Sequence, residues 1–388
     1  MNIPFYYILK NFFARKLTAS ITIVGVALVV FVFAAVLMMA YGVEKALIAT
    51  GSDENAIITR KGSNNEISSI IDLPTANELS TLKGIAKDAQ GKPIVSYEVA
   101  TVINLDKKSG GMSNVSVRGV SPQVFTLRPN VKIVQGVWFK NGAREIVVGK
   151  QANERFTGAG LGDKVKFGGD FWTIVGVMDA GGSAFDSEMW GDVEQLRGAY
   201  KREAYSSMTF RFESKDELEV MKSKMTSDPR LNQMEVEVER SFFEKQAAAL
   251  STFLRILGLV ITIIFSVGAM IGAMITMYTS VANRTVEIGT LRALGFHKWS
   301  VLFAFLFESL MLSFVGGLIG LVLASGLTFF SISTMNFSSF SELAFSFALS
   351  PMIVVLSLGF AVLMGFVGGV LPSLRASGMK IVDSLRGA

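Results

Sequence analysis

The sequence contains no cysteine and a single histidine, His297, among its 388 residues. Without cysteine the chain forms no disulfide, binds no metal through a thiolate and carries no cysteine nucleophile. One histidine excludes a metal site that needs several imidazoles. The polar middle of the chain, residues 44–250, has neither residue, which excludes Ser-His-Asp triads, Cys-His pairs and most zinc sites there.

Nucleotide-binding and acyl-transfer motifs are also absent or incomplete. No G-x-x-x-x-G-K-[ST] occurs, so the chain cannot bind ATP through a P-loop. Ser80–Lys83 matches S-x-x-K, but the companion K-T-G and S-D-N patterns are missing, and the glycines of Gly158–Gly162 do not match G-x-G-x-x-G. We therefore predict no catalytic residue, no cofactor and no metal in this chain. A carboxylate-only enzyme stays a minor alternative, and binding or transmission of movement is expected instead.

Apolar residues, in contrast, make up 50% of the chain, and its mean hydropathy of +0.45 is high for a soluble protein. Four apolar runs are long enough to cross a bilayer core, which needs about 20 helical residues. We predict transmembrane helices over residues 19–43, 251–282, 301–330 and 351–371. The first run is longer than the 7–15 apolar residues typical of a signal peptide, so an uncleaved anchor is favoured over a cleaved signal.

Basic residues concentrate in three of the segments that flank these runs. Residues 1–18, 283–300 and 372–388 together hold nine Lys or Arg against two acids, whereas the loop 331–350 holds no Lys or Arg. The positive-inside rule predicts that both termini and the 283–300 loop are cytoplasmic. Segments 44–250 and 331–350 then lie outside, and the protein is expected in a bacterial cytoplasmic (inner) membrane as a multi-pass protein that contacts lipids and no nucleic acid.

The segment 44–250 has the length of an ordinary domain, and its patterns alternate between strand and helix. Predicted strands are Asn55–Arg60, Val99–Leu105, Val115–Val120, Glu145–Val148, Lys164–Phe167, Trp172–Val177 and Ser207–Phe212. Predicted helices are Thr75–Lys83, Val193–Tyr200 and Lys215–Met225, the last with Ser214 and Glu217 in capping-box spacing. The fold class is therefore a four-helix membrane protein with an inserted extracytoplasmic α+β domain.

Two membrane helices are expected to extend beyond the bilayer. Ser241–Asn283 reads as one helix that starts amphipathic and becomes apolar, although a break near Ser251 or Thr252 is an alternative. The first span is expected to continue through Glu44–Ala49, and Phe5–Phe13 is either an interfacial helix or a plain basic anchor.

Small and charged residues inside the spans suggest packing contacts. Three G-x-x-x-G pairs, which let helix backbones approach closely, are Gly268 with Gly272, Gly316 with Gly320, and Gly365 with Gly369. Glu308 is an acid about two turns into the third span, where a charge is costly. Contact with the 283–300 loop or a partner, or snorkelling to the headgroups, would each explain it.

The 283–300 loop carries a short amphipathic pattern between two spans. Ile288, Leu291 and Leu294 fall near one helical face, and Gly295 is a plausible helix terminator. Here the sequence resembles the FtsX-type permease domain of MacB and LolC/LolE transporters. The matching motif consists of Arg284, Glu287, Ile288, Gly289, Arg292, Ala293 and Gly295, followed by Glu308, Gly316, Gly317 and Gly320. Further similarities are Val117–Val120, Leu161–Val165, Trp172–Val177, Pro372–Ala376 and Ser384–Arg386.

The resemblance implies a transport subunit that is not itself an enzyme. Its coupling helix would comprise Arg284, Glu287, Ile288, Gly289, Leu291, Arg292, Ala293, Leu294 and Gly295, and would dock on a cytoplasmic ABC ATPase dimer that holds ATP and Mg. Because the P-loop is missing, the ATPase is expected to be a separate polypeptide. A second permease copy, as homodimer or heterodimer, is expected, and a periplasmic membrane-fusion protein is a further candidate partner.

The implied activity is mechanotransmission, in which ATP hydrolysis moves the outer domain to export or extract a lipoprotein, lipid, peptide or small toxic compound. The alternative is an FtsX-like signalling subunit that regulates a cell-wall hydrolase or another outer partner. The substrate and the dimer type are left open by the sequence.

Overall fold

The computed structural model describes residues 16–386. The segment Phe5–Phe13 and most of the predicted amino-terminal segment lie outside the described residues. Eleven α-helices occur within 16–386. They are α1 (Lys16–Ile48), α2 (Leu73–Ser80), α3 (Val124–Leu127), α4 (Lys150–Arg155), α5 (Val193–Ala199), α6 (Lys215–Ser227), α7 (Glu239–Ala282), α8 (Thr285–Ala293), α9 (Lys298–Ser325), α10 (Pro351–Gly378) and α11 (Ile381–Arg386).

The strands fall almost entirely in the middle of the chain. They are β1 (Asn55–Arg60), β2 (Ile71–Asp72), β3 (Val95–Asp106), β4 (Met112–Val120), β5 (Lys132–Gly136), β6 (Glu145–Gly149), β7 (Lys164–Phe167), β8 (Asp170–Asp179), β9 (Glu188–Asp192), β10 (Ala204–Tyr205), β11 (Ser207–Arg211), β12 (Met234–Val238), β13 (Ser331–Asn336) and β14 (Ser341–Ser346).

The chain divides into two compact units. The helical unit comprises residues 16–41, 252–330 and 347–386, and the inserted domain comprises Gly42–Ser251 together with Ser331–Ser346. Helices α1 and α7 contribute residues to both units. Helix α7 is a single helix of 44 residues, as predicted for Ser241–Asn283, and the alternative of a break near Ser251 or Thr252 is not observed.

Four helices of the described chain are long and apolar enough to cross a membrane: Ala19–Ile48, Glu239–Ala282, Lys298–Phe329 and Pro351–Gly378. Capping residues explain where α10 begins. Ser350 caps α10 by accepting a hydrogen bond from the Ile353 amide, and Pro351 occupies the first turn, where no amide donor is needed. Within the helical unit, α9 packs along α10, and Val26, Val30 and Ala361 are buried between apolar neighbours.

A ten-stranded mixed sheet forms the centre of the inserted domain, in the order β12-β1-β11-β3-β4-β9-β6-β8-β5, with β7 paired to β8. The β4–β9 and β6–β8 pairs are parallel and the others are antiparallel. Side chains alternate between the two faces, so Ile57 joins a core with Trp190 while Ile58 joins one with Trp172. The sheet is therefore buried on both sides, which confirms the predicted α+β class.

The loop predicted over 331–350 is instead a β-hairpin that belongs to the inserted domain. Strands β13 and β14 pair in antiparallel register from Ser331 with Ser346 to Asn336 with Ser341. The side chain of Asn114 donates a 2.6 Å hydrogen bond to the Phe340 carbonyl, and the Ala344 amide donates to Ser187 Oγ at 2.9 Å. The domain is consequently larger than the predicted segment 44–250.

Candidate functional site

The helix predicted to couple to an ATPase exists as α8, directly after α7. It ends where the sequence predicts, because Gly295 adopts a φ of +93°, a conformation that other residues rarely adopt. The Phe296 amide then donates to the Leu291 carbonyl at 3.2 Å, which completes the turn.

Arg284 attaches the start of α8 to α9. Its guanidinium donates hydrogen bonds of 2.9 Å to both Glu287 and Glu308, and it lies 5.0 Å from the centroid of the Phe305 ring. The side chains of Arg284 and Glu308 are buried. Of the explanations that the sequence left open for Glu308, the structure shows contact with the 283–300 loop. Burial raises the pKa of Glu287 above its ordinary value, and the nearby charge of Glu308 adds a smaller effect in the same direction.

Arg292 attaches the other end of α8 to the end of α10. Its guanidinium donates to the carbonyl oxygens of Ser377 at 3.1 Å and Met379 at 2.7 Å. Carbonyls at a helix carboxyl end lack partners within the helix and carry partial negative charge, so a cation is favourable there. Both ends of α8 are thus held within the helical unit.

The predicted coupling residues divide into an inward and an outward set. Arg284, Ile288 and Gly289 are buried against their own chain, and Leu291 and Arg292 are half-buried. The predicted apolar face of Ile288, Leu291 and Leu294 is therefore not one docking surface, because Ile288 packs into the core of the helical unit. Leu294 is 67% exposed.

A different face of α8 is open. It consists of Val286, Thr290, Ala293 and Leu294, at positions i, i+4, i+7 and i+8, and all four are exposed. We call it the outward face of α8. Val286 and Thr290 were not predicted from the sequence, although their helical spacing from Leu294 was the available signal.

Two of the three predicted glycine pairs pack against another helix, and the third does not. A side chain at Gly316 would begin 2.8 Å from the Ile23 carbonyl oxygen, and one at Gly320 would begin even closer to the Ala27 carbonyl oxygen, so the backbones of α9 and α1 are in contact. Gly365 and Gly369 lie against serines of α9, where Ser309 Oγ donates to the Gly365 carbonyl at 2.7 Å. Gly268 and Gly272 have no described atom within 4 Å of an added side chain.

A buried ionic cluster in the inserted domain was not predicted from sequence. Arg118 donates to Glu66, Glu98 and Glu188 at 2.7–2.9 Å. Arg128 pairs with Glu98 and with Glu239, the first residue of α7, each at 2.9 Å. The six side chains come from positions far apart in sequence, so no local spacing reveals them. One signal was available, since Arg118 lies within the Val117–Val120 motif.

The electrostatics of this cluster favour structure over catalysis. Burial alone would raise the pKa of Glu66, but the charge and hydrogen bonds of Arg118 outweigh it and hold the pKa below its ordinary value. Burial alone would lower the pKa of Arg118, but the Glu188 and Glu66 charges raise it well above its ordinary value. The faces of Phe185 and Trp190 lie 4.5 and 5.7 Å from the Arg128 guanidinium. The cluster is therefore a set of buried and mutually paired acidic and basic side chains.

A second charged contact holds the β13–β14 hairpin within the inserted domain. The buried Glu342 carboxylate lies 3.2 Å from Lys107 Nζ and 3.3 Å from Arg155 Nη1, and it accepts a 2.5 Å hydrogen bond from Ser333.

Among residues 16–386 no group of three or more His, Asp or Glu side chains is arranged to hold a metal ion.

Comparison with known proteins finds a family match for each of the two units of the chain. A family model described as the MacB-like periplasmic core domain matches residues 17–228, and one described as the FtsX-like permease C-terminal domain matches residues 259–381. The chain belongs to the MacB/FtsX family of ABC transporter permeases. The second match contains α8, Glu308 and the packed glycine pairs of this permease.

Similar proteins with curated names agree with this family. A macrolide export ATP-binding/permease protein MacB from Bdellovibrio bacteriovorus is 25% identical over 96% of this permease, which spans 60% of that relative's length. The uncharacterized ABC transporter permease YvrN from Bacillus subtilis is 26% identical over 97% of both chains. The pyoverdine export ATP-binding/permease protein PvdT from Pseudomonas entomophila is 24% identical, and this permease spans 57% of its length.

Solved structures align with about half of the chain. The periplasmic region of MacB from Actinobacillus actinomycetemcomitans covers 49% of this permease at 13% identity, with a TM-score of 0.38. The extracellular domain of the ABC-type transporter YknZ covers 47% at 15% identity, with a TM-score of 0.35.

Proposed function

We propose that this permease couples ATP hydrolysis in a separate cytoplasmic ATPase to movement of the inserted domain, and thereby exports or extracts a lipoprotein, lipid, peptide or small toxic compound. The ATPase dimer would supply the ATP and Mg chemistry, and this chain would transmit the movement. The protein would lie in a bacterial inner membrane with both termini and α8 in the cytoplasm, as the basic segments support.

The observation that carries the proposal is the continuity of α7. Its first residue, Glu239, is paired with Arg128 in the inserted domain, and its last residue, Ala282, precedes α8 by two residues. A single helix of 44 residues thus has the ionic cluster at one end and the candidate docking helix at the other. A displacement of α8 by a partner would be passed along α7 by unbroken backbone hydrogen bonds.

A second permease copy is part of the proposal. Only 22% of the most apolar stretch of α7 is buried within the chain, against 39% in α1. The open glycines Gly268 and Gly272 lie on this sparsely covered helix. Small residues at this spacing favour close helix pairing in a membrane.

Export is supported over signalling by the inserted domain. Its match to the MacB-like core covers residues 17–228, and the relatives with curated export names align over nearly the whole chain. Loss of export in a deletion strain, with accumulation of the compound and normal cell-wall turnover, would agree with this choice. A wall-hydrolysis defect without accumulation would support the FtsX-like alternative.

The test of coupling is co-purification of tagged permease in mild detergent, followed by mass spectrometry. We expect an ABC ATPase at one copy per permease, and we expect Leu294→Asp on the outward face of α8 to abolish its recovery. The matched control is Leu161→Asp, an exposed leucine of the inserted domain. Normal ATPase recovery with Leu294→Asp, or no ATPase with the unaltered permease, would overturn the coupling assignment.

A further inference from the structure

The only charged residue of α10 lies at the end of that helix. It is Arg375, in the last turn, and it is exposed. Helix α10 has 28 residues, which span about 42 Å at about 1.5 Å per residue, whereas a bilayer core is about 30 Å thick. The apolar residues of α10 can therefore fill the core while Arg375 reaches the level of the lipid headgroups.

Arg375 packs against an aromatic ring from the neighbouring helix α7. Its guanidinium carbon lies 5.6 Å from the centroid of the Tyr278 ring, which is a cation–π distance. Tyr278 is half-buried and lies in the last two turns of α7. A guanidinium and a phenol thus lie side by side at the same end of two membrane helices, where tyrosine is typical of the membrane–water interface.

The packing of α7 against α10 explains why these two side chains meet. A side chain added at Gly368 would begin 3.1 Å from the Ala273 side chain and 3.4 Å from the Met270 carbonyl oxygen. The two helices therefore touch about two turns before Arg375. Because Tyr278 likewise follows Ala273 along α7, the two helices run in the same direction and end near each other.

The acids of the surrounding helices leave the charge of Arg375 available. Helix α10 contains no acid, and α7 contains none beyond Glu244, near its start. Glu287 of α8 and Glu308 of α9 both pair with Arg284. Among the side chains that the structure describes, no carboxylate forms an ion pair with Arg375. The end of α10 therefore favours an anionic ligand.

Exposed apolar side chains lead up to both residues by helical spacing. They precede Arg375 by four and eight residues on α10 and Tyr278 by three and seven residues on α7, so each pair shares a face with the residue that it leads to. These exposed side chains are Leu371, Val367, Ile275 and Ile271. A cation with apolar surface on its membrane side matches a lipid that has an anionic headgroup.

We propose that Arg375 and Tyr278 bind the phosphate of an anionic phospholipid, whose acyl chains lie along the exposed apolar side chains of α7 and α10. Arginine binds phosphate oxygens through two parallel N–H donors, and the Tyr278 hydroxyl is a further donor. A free phosphate would use the same donors but would gain nothing from the apolar residues, so the lipid is favoured. In the proposed orientation this lipid belongs to the cytoplasmic leaflet.

The site lies next to an attachment point of α8. Arg375 precedes Ser377 by two residues, and the carbonyl oxygens of Ser377 and Met379 accept the hydrogen bonds of Arg292. A lipid that joins the ends of α7 and α10 would therefore stabilise the two helix ends between which α8 is held. This inference goes beyond the export proposal. Binding needs neither an ATPase nor a transported compound, so the two proposals are tested separately.

The test uses purified, delipidated full-length permease in detergent and native mass spectrometry with two lipids. Dioleoylphosphatidylglycerol is anionic, and dioleoylphosphatidylcholine has the same acyl chains with a zwitterionic headgroup. We expect tighter binding of the anionic lipid. Arg375→Gln should weaken it about ten-fold, the loss expected for one charge contact of about 1.4 kcal/mol, without changing the binding of the zwitterionic lipid. Arg375→Lys keeps the charge but not the paired donors, so its affinity should lie between the two.

The matched control is Lys298→Gln, which removes an exposed positive charge at the start of α9. The Lys298 ammonium lies 6.0 Å from the ring centroid of Trp299, its neighbour in sequence, and not from a ring of a second helix. This change should leave the affinity for the anionic lipid unaltered. An equal loss in Lys298→Gln and Arg375→Gln would show a response to general surface charge, and would refute the site.

Three further results would each overturn the proposal. Equal binding of the two lipids would show that the headgroup is not recognised. Displacement of the anionic lipid by inorganic phosphate at equal concentration would show a site for soluble anions. A dimer that binds no anionic lipid would show that a second copy covers this face of α7 and α10.

Discussion

The guanidinium of Arg128 lies 2.9 Å from the carboxylate of Glu239, the residue at which the 44-residue helix α7 begins. Both side chains are buried, and Glu239 also accepts hydrogen bonds from Asn55 and from the Ser52 amide. The start of α7 is therefore fixed to the sheet of the inserted domain by charge and not only by apolar packing.

Replacing Arg128 with Met should destabilise the inserted domain by about 3–5 kcal/mol, because Glu98 and Glu239 would lose a buried cation. Thermal unfolding followed by the fluorescence of the buried Trp172 and Trp190 would measure the change. Lys222→Met is the control, because Lys222 forms only an exposed pair with Glu219 and should have no measurable effect. Equal melting temperatures for the two variants would contradict a stabilising role for the cluster.

Arg284 should set the orientation of α8 through its two carboxylate partners. We expect Arg284→Met to lower ATPase recovery with the permease, because Glu308 would remain buried without its cation and α8 would lose its attachment. Adding Glu308→Gln should restore part of the thermal stability, since the unpaired charge is then removed. Lys298→Met, at an exposed position of the same loop, should bind ATPase normally. Failure of the second substitution to restore stability would show that the two residues are not coupled.

The two kinds of glycine should respond differently to the same substitution. Gly320→Val would force a side chain against the α1 backbone, and overpacking of this kind costs about 1–3 kcal/mol. Gly268→Val meets no described atom and should leave the single chain stable. Melting temperatures in detergent test this difference, and cross-linking of Gly268→Val tests the proposed second copy. Equal destabilisation of the monomer by both changes would contradict the packing described above.

Glu342 should make attachment of the β13–β14 hairpin dependent on pH. Burial acts to raise the pKa of Glu342, but hydrogen bonds from Ser333, Ser113 and Lys107 outweigh it and hold the pKa below its ordinary value of 4.5. Since the folded pKa is depressed, the stabilisation is complete above pH 4.5 and is lost as the pH falls through the folded value.

Hydrogen exchange of the hairpin amides, measured at neutral pH and below pH 4.5, tests this dependence. Protection factors, which correct for the slower intrinsic exchange of amides in acid, should fall below pH 4.5 in the unaltered protein, and they should be low at both pH values in Glu342→Ala. Glu219→Gln, far along the sequence on α6, should behave as the unaltered protein does. Acid-independent protection of the hairpin would show that Glu342 does not hold it.

Sequence patterns predicted the elements whose signals are local. Strands β1 and β7 have the predicted bounds, and Ser214 caps α6 by accepting from the Glu217 amide at 3.2 Å. Helix α7 begins two residues before the predicted Ser241 and ends one residue before the predicted Asn283, because both its amphipathic start and its later apolar run are typical of a helix. Short edge elements such as β5 and β12 were missed, since their burial depends on partners distant in sequence.

The candidate sites were predictable only in part for the same reason. Arg284, Glu287 and Glu308 were identified, but which face of α8 is open depends on how α8 packs, so Ile288 was assigned to the wrong side. The ionic cluster of Arg118 and Arg128 joins residues from Glu66 to Glu239, and only the folded sheet brings them together.

The hairpin of β13 and β14 gives the inserted domain a particular order of assembly. Its strands lie two membrane helices further along the chain than Ser251, yet Glu342 completes an ion pair with Lys107 and Arg155. During synthesis, residues 42–251 of the domain are therefore made before the hairpin. The surface around Lys107 and Arg155 stays exposed until α7, α9 and the hairpin itself have been synthesised. A soluble fragment cut at Gly42 and Ser251 would preserve that immature surface, with Lys107 and Arg155 lacking their carboxylate.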